Sequence, residues 1–247
     1  MSGEIAVAPP PGALKARERL IVALDVPHAD AARKVVDRIG DAAGVYKVGL
    51  QLFTAEGPRL VEELVASGRK VFLDLKLHDI PNTVSHAVKS AAGLGVSMLT
   101  VHAAGGGDVL RAAVEAADRR LTLLAVTVLT SFSDDDLREV GVPATVADQV
   151  LRLAALAQKN GCPGVVTSPR ETAMVRKSLG ANLVIVNPGV RPAGLGKDDQ
   201  ERTATPADAV LAGASYIVVG RPITKANDPA KAADNIVLEM EQASKTL

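Results

Sequence analysis

The chain has 247 residues, with 28 Lys+Arg against 28 Asp+Glu, 47% hydrophobic residues and only 2% aromatics. A formal charge of zero with three Phe, two Tyr and no Trp excludes a generic nucleic-acid binder, which needs a basic stripe and rings for base stacking, and a polybasic membrane-surface protein. A single cysteine, Cys162, makes no internal disulfide or thiolate zinc cluster, which points to a reducing, cytoplasmic setting and to a buried apolar role for that thiol.

The stretch from Met1 to Gly12 is Pro-broken and lacks a positive n-region, so it reads as no signal peptide; residues 1–18 are expected to be a flexible tail. From Leu20 onward, short β-branched or Leu-rich runs alternate with Ala-rich amphipathic segments. The runs are Leu20–Val26, Val45–Leu50, Lys70–Leu77, Met98–Ala103, Leu121–Thr130, Gly164–Ser168, Leu183–Val190 and Tyr216–Val219. Helices are expected over Ala29–Ile39, Pro58–Ser67, Thr83–Leu94, Val109–Ala117, Thr145–Lys159, Pro169–Leu179 and Pro229–Ser244, three of them opening on a proline that suits a first turn. The longest strongly apolar stretch, Leu121–Leu129, falls far short of the roughly 20 residues that span a bilayer. Near-continuous apolar strands alternating with helices predict a parallel sheet covered on its faces. Eight such units over residues 19–247 fit a single-domain α/β fold, the (β/α)8 TIM barrel. Asp25, Lys47, Asp74, Lys76, His102, Thr130, Ser131, Ser168, Arg191 and Arg221 fall at or just past strand ends, where such barrels build their sites.

The third strand carries the most chemistry. A two-residue period places Asp74 and Lys76 on one face and Leu73, Leu75 and Leu77 on the other. With the leucines against helices, the charges point into the barrel. Buried charges cost free energy unless paired, and apolar packing is often at least as stable, so stability alone does not explain them. Lys47 on strand two and Asp79 just past strand three extend the pair into an alternating Lys-Asp-Lys-Asp array. That array suits Lys76 as an ammonium that donates a proton; Schiff-base chemistry would need an apolar pocket instead. Asp74 facing a substrate anion raises the bound ground state relative to a transition state that loses the anion. Farther on, Gly220 and Arg221 offer backbone N–H groups and a guanidinium to a phosphate, at the loop position barrels use for it. The Gly-rich polar segment from Asn187 to Gln200 has the content of a closing loop.

Asp74-Leu-Lys-Leu-His-Asp-Ile-Pro-Asn-Thr83 resembles the Asp-x-Lys-x-x-Asp-Ile-Pro-x-Thr signature of the orotidine 5′-phosphate decarboxylase family. Ala-Leu-Asp25, Tyr-Lys-Val-Gly49, Val-His-Ala103, Leu-Thr-Ser131, Pro-Gly-Val-Arg191, Asp-Gln200 and Val-Gly-Arg221 stand in that family's order. The resemblance implies cofactor-independent decarboxylation of orotidine 5′-monophosphate to UMP and CO2 in pyrimidine biosynthesis. It implies that Lys76 protonates C6 while Asp74 sits against the departing carboxylate. Asp79 and Thr83 would reach across a homodimer interface to the ribose in the partner's site, and Asp25 and Lys47 would hold ribose hydroxyls. Thr130 and Ser131 would meet the pyrimidine, Gln200 would bridge base and phosphate, and Arg191, Gly220 and Arg221 would take the phosphate. Asn187 departs from the pattern, standing where a small hydroxyl residue is expected.

Two other readings stay open. A magnesium-dependent phosphosugar decarboxylase or aldolase of similar barrel shares Asp74-x-Lys76-x-x-Asp79, but it needs a carboxylate near strand two, where Lys47 repels a cation. A non-catalytic nucleotide-binding barrel accounts for Arg191 and Arg221 but not for Lys76 between two aspartates. The four histidines lack metal-ligand spacing, so no metal and no other cofactor is expected. His78 reads as an interface or turn residue and His102 as part of the pocket floor. The expected partners are a small nucleotide and a second copy of the chain, with no nucleic-acid polymer and no membrane.

Overall fold

The computed structural model describes residues 14–193 and 204–246. Helix α1 (Ala16–Arg19) leads into strand β1 (Leu20–Ala23), followed by α2 (Ala29–Ile39), β2 (Val45–Gly49), α3 (Leu50–Glu56), α4 (Pro58–Ala66), β3 (Lys70–Leu77), α5 (Pro81–Gly93) and β4 (Met98–His102). After a 3-10 turn at Ala103–Gly105 come α6 (Gly107–Ala117), β5 (Thr122–Val126), α7 (Asp134–Glu139), α8 (Val146–Lys159), β6 (Gly164–Val166) and α9 (Pro169–Leu179). The chain ends through β7 (Val184–Asn187), α10 (Pro206–Leu211), β8 (Tyr216–Val219), α11 (Arg221–Thr224) and α12 (Pro229–Ser244). Every strand pairs in parallel with the next, and β8 pairs with β1, so the eight strands close into a barrel. Parallel neighbours need crossover connections, and the helices supply them.

Helix starts follow local chemistry. The side chains of Thr145, Ser168 and Asp228 accept backbone N–H groups of the first turns of α8, α9 and α12, satisfying donors that have no partner inside the helix. Proline opens α4, α5, α9, α10 and α12, where its missing N–H costs nothing.

Strand alternation sorts the core into two layers. Ile21, Ala23, Val45, Phe72, Met98, Leu124, Val184, Val186, Tyr216 and Val218 fill the barrel interior. The intervening positions, among them Val22, Tyr46, Val48, Leu73, Leu99 and Val101, pack outward with the helices. As the composition requires, both layers are overwhelmingly aliphatic.

The structure moves several expected boundaries. Residues 1–13 lie outside the described part, but Leu14 packs against the interior layer and α1 begins inside the stretch read as a tail. The buried Arg19 guanidinium donates to the carbonyls of Ser215 (3.0 Å) and Ala214 (2.8 Å), latching the start of β1 to the start of β8. The run Leu121–Thr130 is strand only over Thr122–Val126; past Val126, Thr127 anchors to the Val166 carbonyl through both its N–H and its hydroxyl. Leu50, expected to end β2, opens α3 instead. Among the described residues no helix is long and apolar enough to cross a membrane.

One irregularity shapes the site. Leu73 pairs with Leu99 and Leu77 with Val101, so four steps along β3 match two along β4. Within this double bulge Lys76 has φ of 50°, a left-handed conformation uncommon outside glycine. Because the excess is two residues, Leu73 and Leu77 still face the helices.

Candidate active site

A cavity of about 580 Å³ opens at the C-terminal ends of the strands, inside the roughly 300–1,000 Å³ range of small-molecule sites. Asp25 reaches it from the end of β1, Lys47 from β2, and Asp74 and Lys76 from β3. Their charges alternate in sign. Lys47 Nζ lies 3.0 Å from Asp25 Oδ1 and 3.7 Å from Asp74 Oδ2, and Lys76 Nζ donates to both Asp74 oxygens at 2.9 Å. Asp74 is thus a nearly buried carboxylate between two ammonium groups. Desolvation of such a group is offset only when its partners are close and well aligned, and here they are. Gly49 leaves room for this arrangement: a Cβ there would stand 2.9 Å from Lys47 Nζ and 3.5 Å from Asp25 Oδ1.

The rest of the wall is built by the loops after β5, β7 and β8. It brings Thr130, Arg191, Gly220 and Arg221 to the same cavity. Arg191 is buried, and its backbone N–H donates to Ala204 at 2.9 Å. Asn187, at the end of β7, is fully buried; its amide donates to the Thr167 carbonyl at 2.8 Å, and its oxygen accepts from the Thr172 hydroxyl at 2.9 Å. An amide can join those two partners simultaneously, and a small hydroxyl side chain is too short to do so.

Other expected site residues stand elsewhere. Asp79 and Thr83 are exposed and outside the cavity. The β3 ladder ends at Leu77 and the chain turns into α5, where the Asp79 carboxylate accepts the Ile80 N–H at 2.6 Å. Within one chain, therefore, the alternating array does not run on to Asp79. Its fourth member is Asp25, because β1 lies beside β2 with Ala23 opposite Lys47. Ser131 is exposed and is not among the residues that line the cavity, whereas Thr130 is. Of the expected closing loop, Asn187 to Gln200, residues 194–200 lie outside the described residues, Gln200 among them.

His102 is not part of the cavity floor. Its ring stacks on that of His78, with centroids 5.1 Å apart. Burial, then His78 and Lys76, hold its pKa below the ordinary histidine value. Cys162 is fully enclosed, and burial pushes its thiol up to about 12. Among the described residues no group of three or more His, Cys, Asp or Glu side chains is arranged to hold a metal ion.

Sequence reasoning missed Thr100. It is fully buried on β4, accepts the Lys76 N–H at 2.8 Å and donates to Asp74 Oδ1 at 3.0 Å. The signal was its inward register, two residues from Met98.

Known proteins resemble the chain along most of its length. The profile described as Orotidine 5′-phosphate decarboxylase / HUMPS family matches residues 18–236. An orotidine 5′-phosphate decarboxylase of Moorella thermoacetica is 50% identical over 237 residues, covering 92% of this chain and 94% of its own. That of Methylobacterium sp. (strain 4-46) is 53% identical over 234 residues, covering 93% and 98%. The crystal structure of orotidine 5′-phosphate decarboxylase from Lactobacillus acidophilus superposes with a TM-score of 0.81 at 40% identity, covering 90% of this chain and 98% of that one.

Proposed function

The chain belongs to the Orotidine 5′-phosphate decarboxylase / HUMPS family, and we propose that it is a carboxy-lyase converting orotidine 5′-monophosphate to UMP and CO2 without metal or organic cofactor. The observation that carries this reading is the Lys76 ammonium gripped by both oxygens of Asp74. As the bond from C6 to the carboxylate breaks, the electron pair stays on C6 and CO2 departs. Lys76 Nζ delivers its proton to that carbon and regains one from water. Asp74 beside the substrate carboxylate raises the bound state relative to a transition state in which that charge is leaving.

The remaining assignments follow the family resemblance, and Asp25, Lys47, Thr130, Arg191, Gly220 and Arg221 line the cavity. Asp25 and Lys47 hold ribose hydroxyls, Thr130 and Ser131 meet the pyrimidine, and Arg191, Gly220 and Arg221 receive the phosphate, with Gln200 bridging base and phosphate. Binding energy from the phosphate then assists chemistry at C6, which it does not touch. The working unit is a cytoplasmic homodimer in which Asp79 and Thr83 serve the partner's site. In support, Asp79 and Thr83 are exposed beside Ile80, itself 65% exposed, and Leu50, which opens α3 just past the neighbouring strand, is 55% exposed.

Purified protein is expected to convert orotidine 5′-monophosphate to UMP in the presence of EDTA, and Lys76→Ala to abolish the conversion. Retained activity in Lys76→Ala removes the proton-donor assignment. A strict magnesium requirement favours a phosphosugar enzyme instead.

A further inference from the structure

Thr100 occupies the space beneath the charged strand. Its neighbours Leu99 and Val101 pack toward the helices and Met98 into the interior layer, so the Thr100 side chain faces the barrel interior. Its Oγ1 accepts the Lys76 N–H at 2.8 Å and stands 3.0 Å from Asp74 Oδ1. A backbone N–H only donates, so the hydroxyl's single proton remains for the carboxylate. One oxygen thereby ties the left-handed backbone of Lys76 to the carboxylate that holds the Lys76 ammonium. Valine would fill nearly the same volume without burying a hydroxyl, and a buried hydroxyl is costly unless bonded.

We infer that Thr100 is a positioning residue, which fixes the turn at Lys76 and the orientation of Asp74 so that the ammonium stands at one place over the reacting carbon. The inference rests on the proton-donor reading of Lys76. Small displacements of reacting groups are expensive: about 1 Å costs about 100-fold in rate.

The test compares Thr100→Val and Thr100→Ala, which lack the hydroxyl, with Thr100→Ser, which keeps it. Each is assayed for conversion of orotidine 5′-monophosphate to UMP and melted in parallel. The expected kcat of the Val and Ala variants falls about 10- to 100-fold while KM stays within about threefold, the pattern of an interaction made only in the transition state. Thr100→Ser returns kcat to within about threefold of the unmodified protein. Undiminished kcat in a folded Val or Ala variant overturns the inference, as does a Ser variant as slow as Val, or a raised KM at unchanged kcat. If neither hydroxyl-free variant folds while Ser does, the hydroxyl serves the fold and the positioning role falls. Failure of the underlying reading is separate: the unmodified protein would not convert the substrate, or Lys76→Ala would remain active.

Discussion

The rings of His78 and His102 lie 5.1 Å apart and 18° from parallel, and the His102 Nδ1 accepts the Ala104 N–H at 3.3 Å. Accepting that bond requires an unprotonated Nδ1. Burial, His78 and Lys76 all disfavour the imidazolium at His102, so the unfolded chain binds this proton more readily than the folded one. The stabilisation is therefore present above the ordinary value of about 6.5 and is lost as pH falls through the lowered native value. His102→Asn, which keeps a neutral acceptor, is expected to flatten the fall in melting temperature between about pH 7.5 and 5. Parallel slopes for the two proteins would count against it.

Gly49→Ala tests the room that the Lys47 side chain needs. With φ of −98° at Gly49 the backbone suits alanine, so the cost falls on the Lys47 and Asp25 contacts. We expect kcat/KM to drop by about tenfold or more with a melting shift equivalent to under about 1 kcal/mol. Steady-state assays and thermal melts check both, and unchanged kcat/KM would mean that the position of Lys47 is unimportant.

Shared sites predict complementation. Lys76→Ala and Asp79→Ala proteins, each inactive alone, are mixed under conditions of subunit exchange. Half of the random dimers then contain one intact site of two, so recovery should reach about a quarter of normal activity. No recovery despite demonstrated exchange contradicts the placement of Asp79 in the partner's site.

The single Cys162 S–H lies within reach of the carbonyls of Leu123 (3.4 Å) and Gly164 (3.3 Å), and burial pushes the thiol up to about 12. Thiolate is the reactive form. The folded protein should resist Ellman's reagent, and denaturant should release one equivalent of thiol; rapid labelling of the active protein would refute this.

The barrel was legible because its strands are short apolar runs and several of its longer helices, α5, α8, α9 and α12, open on a proline or a side-chain cap. Helices α3, α7, α10 and α11 are only seven, six, six and four residues long, too short for an amphipathic period to stand out. Strand ends were read too long wherever apolar residues continue past the ladder, as at Val128 and Leu129. Asp25, Lys47, Asp74 and Lys76 could be read because a charge at the end of an apolar strand demands a reason. Thr100 gave little sign, since threonine is at home in any strand and its meaning lies in what β3 places above it. Within one chain Asp25, and not Asp79, neighbours Lys47, because that contact depends on which strands lie side by side in the barrel wall, a fact that spacing along the chain does not carry.

The double bulge in β3 separates the chemistry of this molecule from its architecture. Deleting Leu75 and Lys76 together would bring Leu77 opposite Val101 in a regular ladder still facing the helices, whereas deleting either alone would turn Leu77 inward. A plain barrel without the lysine is thus one even-numbered deletion away.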